Sequence, residues 1–150
     1  MVSTTAEYAL RIMVTLAASG ETAMTSDQIA RATQVPSDYA VKVLQALARA
    51  GYVKAQRGRG GGFRATCDPA ETTLMDIISA IDDDAANRDL RPVDMPMPPV
   101  AALRAHVVEV LSTARASFRN TTIDEITARA NDPATVTEHR GTTFGMASAS

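Results

Sequence analysis

The sequence predicts a mainly α fold that carries one two-stranded hairpin and a long helix towards its end. Three observations lead there. Apolar residues recur at three- and four-residue spacing over most of the chain, the period of helices with one buried stripe. Tryptophan is absent and only 4% of residues are aromatic, so the core must rest on Leu, Ile, Val, Ala and Met. Around a glycine-rich run after Gly51 the pattern turns strand-like. A chain of 150 residues is long enough for one well-packed domain and too short for two of ordinary size.

The elements follow in order. Thr4 with Glu7 three residues later has capping-box spacing, and Tyr8, Ile12, Met13 and Leu16 share a face until Gly20. Thr25 and Gln28 open a short second helix through Ile29 to Ala32. Pro36 suits the first turn of a third helix, where its missing N–H costs nothing, with Val43, Leu44, Leu47 and Ala48 as the buried stripe and Gly51 as the stop. Tyr52–Gln56 and Phe63–Thr66 are strand-like, and Arg57-Gly58-Arg59-Gly60-Gly61-Gly62 joins them in a turn that glycine forms without strain. Thr73 caps a fourth helix through Leu74, Ile77, Ile78 and Ile81. Beyond Pro99 a long helix carries Val100, Leu103, Val107, Val110 and Ala114 on one stripe, widened by Leu111 and Phe118, and such a stripe needs a partner. Thr122 and Glu125 open a last short helix.

Two short helices joined by a tight turn and followed by a hairpin make a winged helix-turn-helix. The expected organisation is a head over 1–81, a loop over 82–99, a dimerisation helix with a short terminal helix over 100–127, and a disordered tail over 128–150.

Charge is spread unevenly along the chain. The net charge is −2, yet residues 1–67 hold eight Lys and Arg against four acids, a net of +4, which leaves −6 for the remainder. A basic first half joined to an acidic second half fits an anionic partner for the first. The single cysteine, Cys67, cannot form an intrachain disulfide, no secretory signal is recognisable, and no apolar run approaches the ~20 residues that cross a bilayer. The expectation is a cytoplasmic protein with no membrane partner.

Double-stranded DNA is the expected partner. Ser37, Asp38, Tyr39 and Lys42 occupy the start of the third helix, the end that meets base edges in helix-turn-helix proteins. Lys42 can donate to guanine or phosphate, whereas Asp38 caps the helix or accepts from a cytosine amino group. Arg57 and Arg59, with Gly60 and Gly61, form the wing tip, from which guanidinium groups reach phosphate or a narrow minor groove. Thr4 and Thr5 are expected at phosphate, with Tyr8 either beside them or in the core.

These segments resemble the Rrf2-type winged-helix transcriptional regulators, the family of IscR, NsrR and CymR. The resemblance runs through Thr4–Arg11, Val35-Pro36-Ser37 with Tyr39, Leu47–Val53, Arg57–Phe63 and Asn120–Ile126. It spans nearly the whole chain outside the loop and the tail. It implies a homodimer built by crossing the long helices, an inverted-repeat operator, an arginine at the position of Arg57 in the minor groove, and repression as the usual outcome. Cluster-bearing relatives hold three closely spaced cysteines before the long helix. Residues 82–99 contain none, and thiolates are the ligands that such clusters depend on. Some relatives add an acidic residue of the first helix or a histidine of the long one. The histidine position falls here at Arg104, about 200° round the helix from His106. No cofactor and no metal site is expected.

The signal stays open between Cys67 as a redox sensor, a small-molecule effector and a partner protein; the reading of Cys67 as a small buried hydrophobe stands ahead of the redox one. An enzyme is excluded by inventory, because the glycine-rich run lacks a following Lys-Ser/Thr and Cys67 has no base placed by motif. The alternative function is a winged-helix protein-interaction module without direct DNA binding.

Overall fold

A computed structural model describes residues 2–82 and 97–132. In chain order it runs α1 (Thr4–Ser19), α2 (Ser26–Thr33), α3 (Ser37–Arg49), β1 (Val53–Gln56), β2 (Gly62–Ala65), α4 (Leu74–Ile81), α5 (Pro98–Arg119) and α6 (Ile123–Ala130). The expected tail beyond Asp132 and most of the expected loop, 83–96, lie outside the described residues.

α1 is the axis of the fold. Ala6, Ala9, Ile12, Met13 and Leu16 are completely buried, and α2, α3, α4, α6 and β2 all pack on this helix. Its cap differs from the expected one. Ser3 takes the N-cap, accepting the Ala6 N–H at 3.1 Å. Glu7 is then one residue too far along to close a capping box, and its carboxylate pairs with Arg11 one turn on. Thr4 and Thr5 thereby move into the first turn.

Three later helices start with reciprocal capping boxes: Thr25 with Gln28, Thr73 with Asp76 and Thr122 with Glu125. α2 and α3 meet through Gln34, left-handed at φ 55°, and Pro36 is the N-cap residue of α3, one position before its expected place. The buried stripe of α3 is Ala40, Val43, Leu44 and Leu47, whereas Ala48 is exposed. Val43, Leu44 and Leu47 stand as expected, and the stripe takes in Ala40, four residues before Leu44, in place of Ala48, which lies at the edge of the face. α3 ends in a Schellman motif, in which the Tyr52 N–H donates to the Leu47 carbonyl at 2.9 Å and the Gly51 N–H to Ala48 at 3.1 Å. That turn aims the chain into β1.

β1 and β2 pair antiparallel, with Val53 opposite Ala65 and Gln56 opposite Gly62. The hairpin is anchored to the helical body by a bridge absent from any local pattern: Met24 and Phe63 exchange backbone hydrogen bonds of 2.9 and 2.7 Å. Gly62 makes this possible. Its φ is +144°, and a Cβ there would lie 2.3 Å from the Met24 carbonyl oxygen.

A second clip ties the end of the chain to the head. Leu74 donates to Thr121 and Ile123 donates to Thr72, both at 2.9 Å, while Ile123 is fully buried in the main core. Phe118 packs with Ala6, Met75 and Ile78 in a smaller cluster. α5 itself has no fully buried residue. No described helix is long and apolar enough to cross a membrane.

The bridge sets a test of stability. Gly62→Ala forces backbone against backbone and should cost roughly 1–3 kcal/mol in urea unfolding, whereas Gly60→Ala, whose Cβ meets nothing within 4 Å, should cost only the left-handed penalty of about 1 kcal/mol. Equal losses would show that the Met24–Phe63 bridge is not what places the wing.

Candidate nucleic-acid interface

With its stripe at Ala40, Val43, Leu44 and Leu47 turned inward, α3 presents Asp38, Lys42, Gln45 and Arg49 along the opposite face, all exposed. Ser37, Val41 and Tyr39 flank that row and are exposed as well. The sequence reading reached Ser37, Asp38, Tyr39 and Lys42 but stopped at the first turn and a half. Gln45, Arg49 and Val41 were missed, although the helical period carries the outward face on to them. Asp38 is not a cap: Pro36 holds that position and no side chain closes the helix end. Its carboxylate stands in the first turn, where the helix dipole favours negative charge.

Tyr39 fixes α3 against α1. Its hydroxyl shares a hydrogen bond of 2.9 Å with the Thr5 hydroxyl, and its ring meets Tyr8 edge-on, centroids 5.4 Å apart at 81°. The Arg11 guanidinium lies 5.6 Å from the Tyr8 ring centre and donates to the Thr33 carbonyl at the end of α2. Tyr8 is half-buried: its body packs on the core, one of its two expected settings, while its ring meets that of Tyr39. Edge-to-face pairs contribute about 0.5–1.5 kcal/mol beyond area burial. The cluster thus joins the starts of α1 and α3 to the end of α2, which sets the angle at which α3 is presented. Thr4 stands exposed beside it in the first turn of α1.

The wing supplies charge. Arg57, Arg59 and Gly60 are exposed, Gly61 is half-buried, and the Gly61 N–H donates to Gly58 at 2.9 Å to close the tip. Further down the hairpin Arg64 pairs with Glu21 at 3.1 Å. Among the described residues no ion pair holds the arginines at the tip, which lie where solvent, or a polyanion, reaches them.

Cys67 is half-buried against the main core, following β2. Its neighbour Tyr52 has a hydroxyl pKa pushed above the ordinary value by burial first, then by the charges of Asp76 and Cys67. A groove of about 510 Å³ lies between α1, α2 and α6, lined by Val14, Thr15, Ala18, Ala32, Ile126 and Ala130 among others.

On α5 the outward residues Val100, Leu103, Val107 and Val110 are exposed by 44%, 64%, 45% and 53%, an apolar row open to solvent along the helix. Ala114 extends the row, whereas Leu111 is half-buried and Phe118 is turned to the smaller core cluster of its own chain.

A model of the family described as "Iron-dependent Transcriptional regulator" (Rrf2) matches residues 2–129. The chain is 33% identical over 122 residues to protein aau3 of Rhizobium meliloti (strain 1021), covering 79% of each chain. It is 33% identical over 79 residues to the HTH-type transcriptional regulator NsrR of Bacillus subtilis (strain 168), covering 52% of this chain and 54% of that one. Among solved structures, CymR, the global cysteine regulator of B. subtilis, superposes with a TM-score of 0.70 at 26% identity, over 85% of this chain and 96% of that one. The family description names iron, and a cluster of the usual kind needs several cysteine thiolates. Cys67 is the only cysteine in the sequence, and no group of three or more His, Cys, Asp or Glu side chains converges among the described residues. Glu7 is engaged by Arg11, and His106 lies exposed near Glu109. This donor set does not fit a thiolate-held cluster. Matched by that model over residues 2–129 and sharing its fold with CymR, the chain belongs to the Rrf2 family of winged-helix transcriptional regulators.

Proposed function

We propose that the protein acts as a homodimeric repressor that reads an inverted-repeat operator and responds to a signal other than a cysteine-ligated iron–sulfur cluster. The observation that carries the reading is the pairing of two features on one head: the polar outward row of α3 and the exposed arginines of the wing tip. A helix with polar side chains along its free face suits the major groove, and a cationic loop beside it suits phosphate or the minor groove. Thr4, Thr5, Ser37, Asp38, Tyr39 and Lys42 on the helices, and Arg57, Arg59, Gly60 and Gly61 on the wing, make up the contact surface, to which Gln45 and Arg49 are added. Tyr39 has a double part, since its ring and hydroxyl also hold α3 in place.

The dimer is inferred from the apolar row of α5. Val100, Leu103, Val107, Val110 and Ala114 form the face for a second copy, with Leu111 at its edge. Two heads so joined present two recognition helices, and helix-turn-helix dimers meet half-sites about one DNA turn, roughly 34–36 Å, or a multiple of it apart.

Three measurements bear on this. Retention of duplexes enriched from a random pool should fall steeply with salt, because each neutralised phosphate releases counterions, and Arg57→Ala should weaken binding by about 1–3 kcal/mol. Unchanged affinity at moderate salt would remove Arg57 from the contacts, and salt-insensitive or absent retention would favour a protein-binding module. Leu103→Glu should convert the dimer to a monomer in sedimentation and lose cooperative binding to the inverted repeat while the helical signal in circular dichroism persists; a dimer that survives would move the interface elsewhere. Protein purified without oxygen should be colourless and free of stoichiometric iron and sulfide, and a coloured, iron-loaded preparation would reveal a ligand set outside the usual thiolates.

A further inference from the structure

Val41 is the one large apolar side chain on the free face of α3 besides Tyr39, and the two differ in kind. Tyr39, 39% exposed, is engaged by Thr5 and Tyr8. Val41, 38% exposed, belongs to neither hydrophobic cluster. A scattered exposed valine on a solvated helix is ordinary. Its place is what matters here: it stands one turn after Ser37 and one turn before Gln45, beside the row of Asp38, Lys42, Gln45 and Arg49.

We propose that Val41 is a specificity residue that recognises the 5-methyl group of a thymine in the major groove of each half-site. The inference rests on α3 being the recognition helix. In the major groove each base pair presents a pattern of donors and acceptors, and the thymine methyl is the apolar feature among them. Valine suits it in two ways. Branching at Cβ leaves one strongly preferred rotamer in a helix, so the contact orders little that was free. Its two methyl groups offer no hydrogen bond, so an adenine or cytosine amino group facing it loses water without gaining a partner. The residue therefore attracts one base and penalises others, the two arms of specificity.

The test uses duplexes enriched by the wild-type protein from a random pool, with each thymine then replaced singly by deoxyuridine, which keeps every hydrogen-bonding group and lacks only the methyl. For one thymine per half-site the wild type should bind the uracil duplex about fourfold more weakly, the scale of one methyl group removed from water. Val41→Ala should bind thymine and uracil duplexes alike at that position, and Val41→Thr, which keeps one methyl group, should retain part of the discrimination. Unaltered thermal unfolding of both variants would establish that the helix is intact. Uracil sensitivity that persists in Val41→Ala, or is absent from the wild type, would overturn the inference while selective, salt-dependent binding leaves the DNA-reading function standing. A wild type that enriches no duplex at all would overturn both.

Discussion

Burial of one stripe of α1 is the constraint on which the rest of the molecule depends. Ala6, Ala9, Ile12, Met13 and Leu16 have no exposure at all, and the elements that carry function are positioned from that stripe outward. The small side chains matter as much as the large ones. Ala6 leaves room for Met75, Ile78 and Phe118, so α4 and the end of α5 reach the helix near its start. Ile12, Met13 and Leu16 join the core that holds Ile29 of α2 and Val43, Leu44 and Leu47 of α3. Close-packed interiors transmit small shifts rather than absorb them. The pose of α3 is therefore a consequence of how α1 is filled, refined at the surface by the Thr5, Tyr8 and Tyr39 contacts.

Much of this was legible in the sequence because its signals are local. A capping box needs only four residues, and Thr25 with Gln28 and Thr122 with Glu125 form as their spacing predicts. The start of α1 was misplaced because Ser3 and Thr4 are both competent caps, and the choice between them is expressed in three dimensions, where Glu7 finds Arg11. The stripe of α3 was drawn to Ala48 rather than Ala40 for a similar reason: alanine is apolar at either place, and only the neighbouring helices decide which is covered. Interactions between distant parts left no local mark. Nothing in the run Thr22–Thr25 announces that Met24 will bridge Phe63, and nothing in Thr121–Ile123 announces the clip to Thr72 and Leu74. Gln45 and Arg49 carry no local signal of their own, and only the helical period places them on the same outward face as Asp38 and Lys42.

Electrostatics divides labour between the two halves. The excess of positive charge in residues 1–67 is offset by the acidic remainder, so a net charge near zero conceals a head suited to a polyanion. Ion pairing within the head spends its cations selectively. Arg11 and Arg64 are engaged by Glu7 and Glu21, and both pairs are solvent-exposed, where such bridges contribute at most about 1 kcal/mol. The wing arginines Arg57 and Arg59 stay exposed, with no ion pair among the described residues. That distribution separates cations that shape the scaffold from cations available for recognition, a distinction that composition alone cannot draw.

α5 is where structure and assembly meet. Ala101, Arg104, Val108, Leu111, Arg115 and Phe118 are half-buried at three- and four-residue spacing, and of these Phe118 packs on a core cluster of its own chain. Val100, Leu103, Val107 and Val110 lie on the adjacent face, about 90° round the helix, in solvent. A 22-residue helix with no fully buried residue is held mainly at its end, where Phe118 enters the smaller cluster and Ile123 follows into the core. Most helical stability in proteins comes from packing an apolar face, so the second face of α5 is the natural seat of the dimer proposed above. In that arrangement one helix fixes both the assembly and the distance between the two α3 helices. Any signal that shifts α5 against α1, through α4 or through the Ile123 clip, would then alter the spacing of the DNA-reading surfaces without touching a DNA contact.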